Sequence, residues 1–106
     1  MERMSLEQRG PADLALALAL IHHLAIGNNV PLERIAAWFR RLAGWLAIEF
    51  VPKPDPEVQT LLASREDIFP DYTDEGFEAA FSRHFVIEDR WDVKGSERTL
   101  YLMRGR

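Results

Sequence analysis

Residues 13–21 read DLALALALI, and the chain runs on as HHLAIGNN through residue 29. Ala and Leu are strong helix formers, yet here they alternate with a period of two. On a helix, Leu14, Leu16, Leu18 and Leu20 would point to opposite sides of the cylinder. On a strand they line one face, and Ala15, Ala17 and Ala19 line the other. An apolar run without polar alternation suits a strand buried on both faces, as in a parallel sheet covered by helices. The spacing therefore predicts a buried strand over residues 13–21.

Two other readings of this run fail on its flanks. A secretory leader needs a positive start and a small-residue cleavage site. Here Glu2 and Glu7 cancel Arg3 and Arg9, Asp13 abuts the run, and His22 and His23 close it. A membrane span needs about 20 apolar residues. The expectation is a cytoplasmic protein with no membrane partner. The formal charge of −4, with no basic stripe, argues against nucleic acid as the main partner. The absence of cysteine removes disulfides, thiolate zinc sites and thiol catalysis. At 106 residues the chain reads as an N-terminal segment (1–12) and one domain or part of one (13–106).

Downstream, residues 31–43 carry a helical stripe of Leu32, Ile35, Ala36, Phe39 and Leu42. Pro31 stands in its first turn, Asn28 and Asn29 are candidate caps, and Gly44 is its stop. Residues 45–51, WLAIEFV, read as a second buried strand ended by Pro52 and Pro54. Strand, helix, strand with short links predicts a βαβ unit with parallel strands. Asp55 and Pro56 open a short helix. Residues 65–72 form a loop, and Thr73 caps a helix to about His84 with Phe77, Ala80 and Phe81 inward. Residues 85–93 and 98–104 read as a β-hairpin around Lys94-Gly95-Ser96. Trp38, Trp45 and Trp91 are expected to pack.

The predicted order, β-α-β-α-α-β-β, resembles the C-terminal half of the class I S-adenosylmethionine-dependent methyltransferases. ADLALALALIHHL is similar to the fourth strand of that Rossmann-like fold, and WLAIEFVPKPD to the fifth. FSRHFVIEDRWDVKGSERTLYLMRGR is similar to the closing sixth and seventh strands, with RTLYLMR as the reversed one. The resemblance covers roughly residues 5–106. It implies an α/β fold of about four strands, two parallel plus a terminal hairpin, with about three helices. Such enzymes hold the cofactor mainly through a first half bearing a glycine-rich turn and an acidic residue. Neither is present here, since the six glycines are scattered. The expectation is thus part of an enzyme, inactive alone, with S-adenosylmethionine bound only by an intact parent. The methyl acceptor, small molecule or protein, is not legible.

Ligands of open α/β sheets sit beyond the carboxyl ends of the parallel strands. That rule selects His22, His23, Asn28 and Asn29 after the first strand, and Glu49, Phe50 and Lys53 after the second. By the resemblance, one of the two histidines would orient an acceptor or take its proton. Adjacent residues leaving a strand diverge, so one His is expected at the site and the other elsewhere, and no metal centre is expected. Glu49 breaks an apolar strand and calls for a wet strand end, or pairing with Lys53 or an arginine. Phe69 and Tyr72 are candidates for a substrate wall. With its first half missing, the strand at 13–21 would be left on an edge, which predicts a homodimer through that edge. The competing readings are a small non-enzymatic α/β domain for self-association or protein binding, and a fragment of another Rossmann-like enzyme such as a reductase.

Overall fold

The computed structural model describes residues 12–106. It has an α/β fold with one four-stranded mixed sheet. The strands are β1 (Ala12–Ala17), β2 (Ala43–Phe50), β3 (Phe85–Asp92) and β4 (Thr99–Gly105), and the helices are α1 (Leu32–Leu42), α2 (Pro56–Leu62) and α3 (Asp74–Ser82). A π-helical turn, His23–Gly27, follows β1. The N-terminal segment assigned to residues 1–12 lies outside the described residues except for Ala12. Among the described residues no helix is long and apolar enough to cross a membrane.

Strand order is β1-β2-β4-β3. β1 and β2 are parallel, with Leu14 opposite Trp45 and Ala17 opposite Ile48. β4 is antiparallel to both its neighbours, placing Thr99 beside Phe50 and Met103 beside Ile87. The last strand is therefore the reversed one, inserted between the second and third. The uneven alternation of 85–93 has a physical source in the irregular register between Ile87 and Asp89.

Local chemistry accounts for the helix ends. The Thr73 hydroxyl accepts from the N–H of Gly76, and the Asp55 carboxylate from that of Glu57, with Pro56 in the first turn. α1 begins after Pro31 without a side-chain cap, so neither Asn28 nor Asn29 caps it. Gly44 does not stop α1 either. Ala43 is already extended and β2 starts there, with Gly44 inside the strand.

One face of the sheet carries Ala15, Ala17, Leu46, Ile48, Phe50, Tyr101 and Met103. It packs on Ile35, Ala36 and Phe39 of α1 and on Phe77 and Phe81 of α3. The Phe77 ring sits at 4.9 Å from Phe50, 4.5 Å from Phe81 and 5.0 Å from Tyr101. Such aromatic packing adds to area burial and marks the centre of the core.

The opposite face corrects two expectations. Leu14 and Leu16 are 54% and 67% exposed, so β1 is buried on its alanine face alone. The helices pack on the side where small alanines admit them, and no described residue covers the leucines. The strand also ends at Ala17, not at Ile21, because Ala19 takes a left-handed backbone conformation and turns the chain. The tryptophans share this openness. Trp45 shares the leucine face, and all three tryptophans stand well exposed instead of packing into the core.

Candidate functional site at the carboxyl ends of β1 and β2

Beyond Phe50 the chain passes two prolines and reaches Asp55, the cap of α2. This short link brings the first turn of α2 against the ends of β1 and β2. His22, at the start of the helical turn after β1, is fully buried there. Its Nε2 lies 2.8 Å from Oε1 of Glu57. A carboxylate accepts only, so the neutral ring donates from Nε2. Its Nδ1 is buried without a partner.

Arg98, just before β4, closes the cluster. Its Nε donates to Oδ2 of Asp55 at 2.8 Å and its Nη2 to Oδ1 at 3.2 Å, a bidentate pairing. Nη1 reaches Oε1 of Glu49 at 3.4 Å, and Nη2 lies 3.5 Å from Oε2 of Glu57. Glu49 also accepts from the N–H of Ala19 at 2.8 Å. That bond holds the strained residue at which the chain leaves β1. Glu49, Asp55, Glu57, Val93 and Arg98 line a depression of about 360 Å³. Three carboxylates thus meet one guanidinium at a surface facing the ends of the parallel strands.

The electrostatics follow from these contacts. The hydrogen bonds from Arg98 hold the Asp55 carboxyl below the usual carboxylate range, against its desolvation. The bond from His22 does the same for Glu57. Burial lowers His22, outweighing the Glu57 hydrogen bond, and the nearby charges of His23 and Arg98 act in the same direction. The Arg98 guanidinium is raised, chiefly by its bonds to Asp55. Asp55 and Glu57 are therefore ionised beside a neutral imidazole at neutral pH.

The selected residues divide between this cluster and other places. His22 and Glu49 belong to it, and of the two pairings considered for Glu49 the partner is an arginine. Lys53 instead binds Asp67, Nζ to Oδ2 at 3.0 Å. Phe50 is fully buried in the aromatic core, and its ring faces Tyr72 at 4.9 Å. Asn29, Phe69 and Tyr72 line a separate groove of about 460 Å³, beside Glu33 and Arg83. The Tyr72 hydroxyl donates to the carbonyl of Val51, and burial raises its pKa. Asn28 is exposed and donates to the carbonyl of His23 at 3.1 Å. The expectation that the two histidines diverge does not hold. They lie on a helical turn, not an extended chain, and their ring centroids are 4.2 Å apart.

Arg98, Asp55 and Glu57 were not selected from sequence as site residues. Asp55-Pro56-Glu57 carried the available signal, since two carboxylates in a first turn after a buried strand fall at its carboxyl end. Arg98 is 43 positions from Asp55 and 49 from Glu49, and only the strand order joins them.

His22 gives the cluster a defined pH response. A histidine whose folded-state value is lowered binds fewer protons folded than unfolded, so stability rises with pH through the interval just below 6.5. Asp55 and Glu57 contribute stability that is present above the ordinary carboxylate values and lost as pH falls through their lowered ones. Urea unfolding is expected to give a free energy that climbs with pH in the interval just below pH 6.5. The His22→Gln variant should lose this climb while keeping the Asp55 response at lower pH. An unchanged slope in the variant would contradict the assignment.

No family model matches the sequence, and no solved structure matches it. The chain is similar to nodulation protein NoeA of Rhizobium meliloti (strain 1021), with 48% identity over 100 residues. The match covers 94% of this chain and 21% of that protein. The chain thus spans about a fifth of the length of the curated relative it matches.

Proposed function

We propose that this chain is the C-terminal portion of an S-adenosylmethionine-dependent methyltransferase and that it is inactive by itself. The observation that carries this reading is the strand order β1-β2-β4-β3, with β4 reversed and inserted. The polar cluster at the carboxyl ends of β1 and β2 supports it, because ligands of open α/β sheets bind on that side. On this reading one of His22 and His23 serves an acceptor's proton-bearing group, with the His22 ring held by Glu57, and the cytoplasm is the expected location. The length of the nodulation relative agrees with a segment of a larger protein.

The described residues do not fit the cofactor unaided. β1 continues into Leu18-Ala19-Leu20 and β2 into Val51-Pro52, so neither strand leads into a glycine-rich turn. A backbone cradle for the methionine part is therefore lacking on these two strands. Titration calorimetry of the chain with S-adenosylmethionine should show no binding in the micromolar range, while the full-length nodulation relative should bind it. Binding by the chain alone would overturn the half-enzyme reading. Absence of binding by the full-length relative would overturn the methyltransferase reading.

A second reading, a non-enzymatic α/β domain that self-associates, is favoured by the exposed Leu14 and Leu16 on an edge strand, with exposed Leu18 just beyond its end. Whichever reading holds, we propose that the isolated chain forms a homodimer through β1. Among the described residues its outer edge is an unpaired row of backbone groups, without charge or proline from Leu14 to the strand's end at Ala17. Static light scattering on the order of tens of micromolar should give twice the chain mass. A monomer at that concentration would refute the dimer.

A further inference from the structure

The helical turn after β1 has a consequence for metal chemistry. One donor atom each from His22, His23 and Glu57 lie within 4.8 Å of one another. His22 Nε2 and Glu57 Oε1 are 2.8 Å apart. Ligand atoms of a tetrahedral ion with bonds of about 2.0–2.1 Å stand about 3.4 Å apart. Closing the set therefore asks for a small adjustment, which falls on the two exposed side chains, His23 and Glu57.

Two independent features point to an ion. The first is His22 itself, fully buried with Nδ1 unpartnered. Buried polar nitrogens normally have partners, and with the Nε2 proton given to Glu57 the lone pair of Nδ1 is left unused by the protein. The second feature is charge. Glu49, Asp55 and Glu57 surround the single guanidinium of Arg98, leaving an excess of negative charge that a dication would complement. Arg98 itself is committed to Asp55 by the bidentate pair.

We propose that His22, His23 and Glu57 form a binding site for a divalent transition-metal ion of the zinc class, with one coordination position left open. Two imidazoles and one carboxylate suit zinc, cobalt, nickel or iron, whereas magnesium and calcium prefer all-oxygen sets. Three protein ligands with a free fourth position are the arrangement of catalytic rather than structural zinc. This inference is independent of the methyltransferase reading.

The test is calorimetric titration of the chain with zinc chloride, repeated with cobalt chloride and read by visible absorption. One equivalent is expected to bind, with affinity at least tenfold weaker in His23→Ala and in Glu57→Gln. Both positions are exposed, and circular dichroism would check that the variants remain folded. His84→Ala serves as the control, because His84 binds Glu33 at 2.8 Å, apart from the cluster. It should leave the affinity unchanged. Absence of binding, binding retained in both variants, or binding lost with His84 would each overturn the site.

Discussion

A single guanidinium ties this fold together at the carboxyl ends of its parallel strands. Arg98 meets Glu49 from β2, Asp55 from the cap of α2 and Glu57 from its first turn. Glu49 in turn holds the N–H of Ala19, where the chain leaves β1. Asp55 does double duty, accepting from the Glu57 N–H and from Arg98. Glu49 and Asp55 are 9% and 4% exposed, and carboxylates buried to that degree without a partner would be strongly destabilising. The reversed direction of β4 makes the pairing possible. Because β4 runs antiparallel to β2, its first residue, Thr99, lies beside the last residue of β2, and Arg98 arrives at the ligand-side end.

The same topology separates the two faces of the sheet. Alanines of β1 and the aromatic cluster around Phe77 pack under α1 and α3. Leucines of β1, with Trp45, are left on the open face. The cluster sits at the end of the sheet, with Glu49 on β2, Asp55 and Glu57 at the start of α2 and Arg98 next to β4. Such placement favours precise geometry at a binding site.

Much of the architecture was legible in local sequence. Alternation in residues 13–21, the apolar stripe of residues 31–43 and the capping chemistry of Asp55 and Thr73 gave the elements. The apolar pattern of the last 20 or so residues and their turn gave the hairpin. What could not be read was decided by long-range placement. Alternating Leu and Ala define two faces but do not say which one receives the helices. Left-handed Ala19 is stabilised by Glu49, thirty positions away, so the early end of β1 has no local signal. The helical turn at His22 and His23 was hidden because HHLAIGNN combines helix and turn residues without periodicity. The partners of Arg98 lie more than forty positions upstream, and only the inserted strand brings them into reach.

The organising role of Arg98 is tested most directly by a double-mutant cycle on unfolding free energy, using Arg98→Met, Asp55→Asn and the double variant. Groups in one charged network usually couple by roughly 0.5–3 kcal/mol. The bidentate geometry and near-complete burial of Asp55 predict a coupling of at least about 1 kcal/mol, with the double variant less destabilised than the two single effects added together. Strict additivity would contradict the account.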